Sequence, residues 1–553
     1  MFNYVVHVGV NNNQLPRTTT MNNNTGDKNS MDLMKTMSEV DARPDTKELF
    51  EQNIAEIVQR TGNTPTHFEI AIYDWVLNGT GHAVVDAKAG SGKTTTIVNL
   101  LKFIPCLNKV FLVAFNKHIA EELNARGLPS NATAKTLHSV GLSALKRHQN
   151  RSKVNGNKTR YILGDLMGGY NLMDDELKKT YFKLLSPIQR MVSLFKNFGY
   201  GAMLPYPTKD EVLELAAKYS VELPDEMDSF LKLLAETFEK SIKQLNIIDF
   251  DDMLYLPIKL NLVFDQSDFV MVDESQDLNP IQIEIVKKMI GEHGRALFCG
   301  DPHQAIYGFR GADPQAIQSI YDEFDATKLP LSISWRCPSE VIKEAQMLVP
   351  DIQASPHAKT GIVRSASLDT FRSEVQNGDY VLSRTTAPLV QECLKAIRAG
   401  KKSIVRGRDI GKGLIHMAEN VEKTANGLDV MDAIEAYSEV ETAKYAKPYQ
   451  AAQLMVLTDK LDTMRVLACE CSTFAEVKAS IEKIFSDKDE GIVFSTIHRS
   501  KGLEAKRIFL FMAKLPHPLA QQEWQMEQEA NLKYVAITRA MEELVKVDNS
   551  KNQ

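Results

Sequence analysis

Short apolar runs alternate with longer stretches of helical periodicity along most of this chain. Ala83-Val84-Val85, the heptapeptide 109–115 (Lys-Val-Phe-Leu-Val-Ala-Phe), Phe269-Val270-Met271-Val272 and Ala296-Leu297-Phe298-Cys299 are nearly continuous apolar segments. Such segments suit strands buried on both faces of a parallel sheet. Helical patterns separate them: one over residues 46–60, one between Pro65 and Asn78, and one opened by Asn116-Lys117 and running to Leu123. Residues 132–139 continue the alternation. A second series starts near Leu329 and takes in residues 380–384, a helix over 389–399, Ser403-Ile404-Val405, residues 492–495 and 507–512, and a last helix beginning near Thr538. Repetition of this kind predicts an α/β architecture of parallel sheets flanked by helices.

Two stretches break the rhythm. Residues 150–245 and 408–488 are helical in pattern and poor in strand signals, so each reads as a helical insertion into one α/β unit. The expected organisation is a tail over 1–45, a first α/β unit over 46–149 and 246–328 interrupted by 150–245, and a second over 329–407 and 489–553 interrupted by 408–488. The tail carries Asn11-Asn12-Asn13 and Asn22-Asn23-Asn24 with few apolar residues after Val10, a composition that predicts disorder.

Composition adds constraints without choosing a function. With 553 residues the chain has room for several cores, and 43% hydrophobic with 25% charged residues is ordinary for a globular protein. Its 65 basic and 71 acidic residues leave a formal charge of -6, which argues against a histone-like or tail-mediated polyanion binder. A nucleic-acid partner would sit in a local basic cleft instead. The six cysteines are scattered without zinc-ligand spacing, which fits a reducing compartment. No apolar stretch is long enough for a membrane span, and the start of the chain lacks a signal-peptide pattern. The expectation is a cytoplasmic protein, nucleoid-associated or in the host cytoplasm if viral, with no membrane partner.

The chemistry concentrates in three places. After the first apolar run comes Ala87-Lys88-Ala89-Gly90-Ser91-Gly92-Lys93-Thr94-Thr95, which leads directly into a helical pattern. Glycines let backbone N–H groups close around an anion, and the helix N-terminus adds positive potential. Lys93 can reach the β- and γ-phosphates, and the Thr94 hydroxyl can ligate Mg²⁺. This is a P-loop with Ala87 in place of its first glycine. Next, the run ending at Val272 delivers Asp273-Glu274-Ser275-Gln276-Asp277. One carboxylate can hold Mg²⁺ through water and the next can polarise an attacking water; simple capping of a strand end is the alternative. The third segment, Gly300-Asp301-Pro302-His303-Gln304-Ala305-Ile306-Tyr307-Gly308-Phe309-Arg310-Gly311-Ala312, follows another apolar run.

Together these segments resemble motifs I, II and III of the UvrD/Rep/PcrA-like superfamily 1 (1A) DNA helicases. Other segments follow in that family's order: Phe115-Asn116-Lys117 (Ia), Thr136-Leu137-His138-Ser139 (Ib), Asp249-Phe250-Asp251-Asp252-Met253, Ser334-Trp335-Arg336 (IV), residues 496–504 (V) and residues 534–540 (VI). The resemblance implies two RecA-like P-loop domains, each interrupted by a helical insertion, with ATP and Mg²⁺ between them. Residues 87–95 would cradle the nucleotide. Lys93, Glu274 and Gln304 would be catalytic, Thr94 and Asp273 would hold the metal, and Arg336 and Arg539 would act as arginine fingers. Trp335 would stack on adenine, with core packing as the alternative, and Glu504 would meet the ribose. Phe115, Asn116, Lys117, His138, Tyr307, Phe309, Arg310 and His498 would line the nucleic-acid track; Tyr307 and Phe309 suit base stacking, with filling of an interdomain core as the other reading.

The resemblance has gaps. Upstream of the P-loop, Pro65-Thr66-His67-Phe68-Glu69 offers Glu69 where the family has an adenine-reading glutamine, which would relax base preference because a carboxylate cannot donate. The insertion at 408–488 is shorter than in the large bacterial members, and the chain ends soon after Arg539, which puts a strand-separating pin in question. The expected function is an ATP-dependent helicase moving 3′→5′ on single-stranded DNA and acting at single-strand/duplex junctions. The alternatives are a translocase that displaces proteins and needs a protein partner to unwind, and an ATP-gated DNA-binding module regulating a partner such as a nuclease. RNA stays open as a track, because stacking and phosphate contacts do not read the 2′-hydroxyl.

Overall fold

The structure, a computed structural model, describes residues 44–550 apart from 115–116, 126, 150, 220, 222, 225, 307–314, 446–450, 470 and 489. It divides into one unit up to Asp74 and a second from Trp75 onward. In the first unit the helix Pro44–Thr61 buries Phe50, Ile54 and Ile57, whose spacing places them along one face. Thr66 then caps the helix His67–Asn78: its hydroxyl accepts from Glu69 N at 3.3 Å, and Glu69 Oε2 accepts from Thr66 N at 2.8 Å. The Glu69 carboxylate is thus a helix cap. The expected tail lies outside the described residues up to residue 43.

The second unit contains two large sheets whose strands are all parallel. The first is built from β1 (Ala83–Ala87), β2 (Val110–Val113), β3 (Ala132–Lys135), β4 (Ser267–Val272), β5 (Ile290–Gly300) and β6 (Thr327–Leu331), in the order β3-β2-β4-β5-β1-β6. β1 and β2 are buried along their whole length, as their apolar sequences require. Asp86 is the polar exception, neutralised by Lys88 Nζ at 2.9 Å and Lys328 Nζ at 2.8 Å. The second sheet comprises β7 (Ile362–Ser367), β8 (Tyr380–Ser383), β9 (Ser403–Arg406), β10 (Phe485–Ser486), β11 (Ile492–Thr496), β12 (Ala505–Phe511) and β13 (Ala540–Asp548), ordered β7-β13-β12-β8-β11-β9-β10. Helices flank both sheets, so the fold is α/β with parallel sheets. Parallel strands share one direction, so the loops leaving β1, β4 and β5 all emerge from one edge of the first sheet.

Two expectations need correcting. β6 pairs with β1 from Ala83↔Thr327 to Ala87↔Leu331, so the first sheet runs past the boundary drawn at 328. The helix expected near Thr538 is instead the end of one: Glu523–Ile537 stops at Thr538, and β13 follows between β7 and β12. Leu544, Val545 and Val547 are buried there, and pairing on both sides overrides the helical propensity of Ala540-Met541-Glu542-Glu543.

Between β3 and β4 the chain forms the helices Lys158–Leu166, Asp175–Phe198, Lys209–Lys218 and Met227–Lys243. Between β9 and β10 it forms Arg408–Thr424, Val430–Ala443, Ala451–Ala468 and Phe474–Ile484. No helix among the described residues is long and apolar enough to cross a membrane. The Asp249-Phe250-Asp251-Asp252 segment fastens the first helical set to the sheet that follows. Lys196 Nζ lies 2.7 Å from Asp249 and 2.8 Å from Asp252, while Lys158 Nζ lies 2.7 Å from Asp252 and donates to the carbonyls of Ser241 and Gln244. Both lysines are fully buried. Removing one member strands a buried opposite charge. Lys196→Met is therefore expected to destabilise the protein by about 3–5 kcal/mol, read as a lowered urea midpoint; an unchanged midpoint would refute the account.

Candidate active site

The loop leaving β1 turns through two positive-φ glycines, Gly90 at +73° and Gly92 at +83°, before the helix Lys93–Leu100 begins. Only glycine is comfortable in that conformation. Gly90 is also crowded: a Cβ there would sit 2.7 Å from both Arg336 Cβ and Ser334 Oγ. Gly90 O accepts from Trp335 N at 2.8 Å, so the segment after β6 packs directly on the turn. Gly92 supplies no side-chain cap to the helix, which suits a helix start that meets an anion. Ala87, Ala89 and Ser91 are buried, Thr94 is half-buried and Thr95 is exposed. Lys88 points away from this turn, with Nζ 2.9 Å from Asp86 and 3.0 Å from Asp351. Its charge is matched by carboxylates and is not available to a phosphate in this arrangement.

At the end of β4, Glu274 adopts φ +52°, a left-handed conformation that is strained for a non-glycine residue. The turn aims its carboxylate at the P-loop, with Oε1 3.0 Å from Lys93 Nζ. Burial opposes the Lys93 charge, but Glu274 and Asp273 outweigh it and hold the ammonium above the ordinary lysine range. Burial likewise opposes the Glu274 carboxylate, but Lys93 and Lys501 hold its pKa at about 2. Asp273 behaves oppositely: burial, then the charge of Glu274, pushes it up to about 6. Two adjacent carboxyls are therefore split by their surroundings into a firm anion and a proton-holding group.

β5 brings the third segment alongside. A Cβ at Gly300 would meet Gln276 Oε1 and Ser275 Oγ at 2.6 Å, so only glycine lets this strand end lie against the loop after β4. Gln276 Oε1 accepts from Asp301 N at 3.1 Å, and its Nε2 donates to Glu274. Fully buried Asp301 accepts from Gln304 Nε2 at 2.7 Å, which turns the Gln304 carbonyl outward to Arg539 Nη2 at 3.4 Å. Arg539 is only 2% exposed and donates also to the carbonyls of Val535 (3.0 Å) and Leu503 (3.2 Å) and to Thr538 Oγ1 (3.3 Å). All four acceptors are neutral. Burial, then the charge of Arg336, pushes the guanidinium down to about 10.

Arg336 is more open, with Nε 2.6 Å from Glu504 Oε2. Trp335 is 38% exposed with Cδ1 3.8 Å from a Cβ placed on Gly92, so its indole is not a core residue. Lys501, which the sequence reading passed over, crosses from the segment after β11 to Asp277 at 2.6 Å and donates to Gln304 O at 2.9 Å. Asn531 and Tyr534, from the helix before β13, also reach the first-sheet loops. Their positions within and beside the last family-like segment were the available signal.

The structure brings together Lys93, Asp273, Glu274, Gln304, Arg336, Arg539, Trp335 and Glu504 around the residue 87–95 turn. Of the expected nucleic-acid residues, Phe115, Asn116, Tyr307, Phe309 and Arg310 lie outside the described residues. Lys117 is exposed, 3.4 Å from Glu121. His138 is half-buried, and burial lowers its pKa; His498 is half-buried.

The comparisons identify the class. Residues 73–325 match the UvrD/REP helicase N-terminal domain and residues 204–550 match the UvrD-like helicase C-terminal domain. The chain belongs to the UvrD-like helicase family. Among curated proteins it is 26% identical over 315 residues to the ATP-dependent DNA helicase Rep of Escherichia coli, a match covering 50% of this chain and 42% of Rep. Rep of Salmonella typhimurium matches to the same extent. The F-box DNA helicase protein 1 of Schizosaccharomyces pombe is 23% identical over 498 residues, covering 83% of this chain and 55% of that protein. The matches thus span less than half the length of Rep.

The buried Asp277 carboxyl makes a pH test possible. Burial, against the pull of Lys501, raises it to about 6, above the ~3.9 of an unfolded aspartate. The folded state then holds a proton that the unfolded chain releases, so this contribution to stability is full below pH ~4 and is lost as pH rises through about 6. Asp277→Asn is expected to flatten the fall in unfolding free energy over that window by up to about 3 kcal/mol, measured by urea titration across the pH series. An unchanged slope would refute it.

Proposed function

We propose that the chain is an ATP-dependent motor that hydrolyses ATP between its two sheets and moves 3′→5′ on single-stranded DNA, opening duplex at junctions. The observation that carries this reading is the passage of Arg539, from the second α/β unit, to Gln304, from the first, beside the Lys93–Glu274 pair. The domain organisation proposed is the one read from the sequence, with the boundary at 328 moved to follow Leu331.

Lys93 and the backbone of residues 87–95 would bind the phosphates of ATP. Phosphate entering this turn competes with Glu274 for Lys93. Once Lys93 turns to the phosphate, Glu274 loses its strongest stabilising partner, and its proton affinity climbs toward the range useful for orienting and deprotonating water. Thr94 and Asp273 offer one hydroxyl and one carboxylate, too few for an all-protein cage but fitting for Mg²⁺, which keeps waters and phosphate oxygens as ligands. Bound there, Mg²⁺ would offset charge on the phosphate oxygens. Arg336 would exchange Glu504 for the γ-phosphate, leaving Glu504 for the ribose, while the exposed Trp335 indole would lie on the adenine. Arg539 would stabilise charge as it develops, because a desolvated guanidinium held by neutral acceptors gains most from a new anion.

On the DNA side, Phe309 and Tyr307 would stack on bases, with Phe115, Asn116, Lys117, His138, Arg310 and His498 along the strand. The 3′→5′ polarity is that of the helicases the motifs resemble.

ATP turnover stimulated by single-stranded DNA, with unwinding of 3′-tailed but not 5′-tailed duplexes, is expected from the isolated protein. Turnover indifferent to DNA would overturn the proposal, and turnover without unwinding would reduce it to a translocase. Lys93→Ala is expected to abolish hydrolysis while single-strand binding, measured by fluorescence anisotropy, stays within about threefold; retained turnover would refute the assignment of the P-loop.

A further inference from the structure

Tyr534 sits on the helix Glu523–Ile537, fully buried, with its ring 6.0 Å from that of His303. Its hydroxyl accepts from Ala89 N at 3.0 Å, an amide of the P-loop. A phenol has one proton to donate. With the Ala89 N–H on its lone pair, that proton faces Asp301 Oδ2 at 3.4 Å. The same oxygen takes the Gln304 side-chain amide at 2.7 Å, and Gln304 Oε1 in turn accepts from Arg539. One helix therefore delivers both ends of a closed path: Tyr534 to the P-loop backbone, and Arg539, just past its C-terminus, to Gln304. Asn531 of the same helix braces the loop between these ends, its Nδ2 3.4 Å from Pro302 O and 3.3 Å from Ala305 O.

We propose that Tyr534 is a positioning residue whose hydroxyl ties the P-loop at Ala89 to the Asp301–Gln304–Arg539 path, so that single-stranded nucleic acid accelerates hydrolysis only while that hydroxyl is present. Asp301 has two claimants on one oxygen. A shift of Tyr534 changes how firmly Asp301 holds the Gln304 amide, and with it where the Gln304 carbonyl meets Arg539. A displaced P-loop amide would be felt at Arg539 through three side chains, Tyr534, Asp301 and Gln304, and no large movement. The inference rests on the ATPase reading above.

The test is Tyr534→Phe in the full chain, which fills the same volume and removes only the hydroxyl. ATP turnover is measured with and without an oligothymidylate strand, alone and combined with Gln304→Ala. Maximal turnover with DNA is expected to fall about tenfold while KM for ATP moves less than about twofold. Added to Gln304→Ala, Tyr534→Phe is expected to bring no further loss of DNA stimulation, because both act on one path. Replacing Tyr534 by 4-aminophenylalanine, which restores a donor toward Asp301, is expected to recover part of the stimulation and carries the test if the Phe variant folds poorly. Full stimulation in Tyr534→Phe, losses that multiply in the double variant, or no recovery with the amino analogue would overturn the inference alone. A wild-type chain whose turnover ignores DNA would overturn the functional reading and this inference with it.

Discussion

Lys93 and Glu274 face each other at 3.0 Å where water is scarce, and the rest of the cleft is arranged by that pair. Each charge is costly there alone, since the side chains are only 14% and 23% exposed. The lysine needs an anion and the carboxylate needs a cation, so each holds the other until a better partner arrives. Phosphate is a better partner for Lys93, since it adds the turn's N–H groups and the helix start to the attraction. Under the proposed function, binding would thereby be linked to release of the carboxylate proposed to act on water. Asp273 belongs to the same balance: burial and then the Glu274 charge raise its pKa to about 6 while Lys93 pulls it down, so a change at Lys93 alters both carboxyls together.

The contrast with the other buried charge cluster is instructive. Lys158, Lys196, Asp249 and Asp252 also lie out of water, but there two cations meet two anions at 2.7–2.8 Å and Lys158 donates in addition to two carbonyls. No member has reason to leave. That set is fixed structure, and it accounts for the acidic segment that stands before β4. In the cleft the matching is incomplete: Arg539 has only neutral acceptors and Asp273 is crowded by a like charge. Incomplete matching in a dry place separates a site from a brace.

Much of this was legible in the sequence, and what was not had physical reasons. The strands buried on both faces announced themselves as unbroken apolar runs. β6 did not, because Thr-Lys-Leu-Pro-Leu carries a proline that an edge strand tolerates and a central strand does not; sequence alone could not say which sheet would own that edge. β13 was hidden by residues of high helix propensity held extended by neighbours on both sides. At the site, the P-loop and the Asp-Glu pair could be read from local spacing, since each works within a few residues of its strand. Lys88 looked like part of the phosphate cradle until the structure placed Asp86 and Asp351 around it. The Tyr534 hydroxyl meets Ala89 across 445 positions of sequence, and no local pattern encodes such a meeting.

The two arginines that the motifs offered as equivalent are in different energetic states. Arg336 is partly exposed and paired with Glu504, whose side chain is 46% exposed, so solvent screens the pair and its separation costs little. In the proposed cycle it would move with each arriving nucleotide. Arg539 has already lost its water, and its surroundings pull its proton affinity down to about 10 without removing its charge at neutral pH. An anion forming near it meets an unscreened cation that needs no further desolvation. Its desolvation cost falls on folding, not on the reaction, and the Tyr534 helix keeps that cation at the edge of the first sheet. The exchangeable arginine suits recognition, and the buried one suits acceleration.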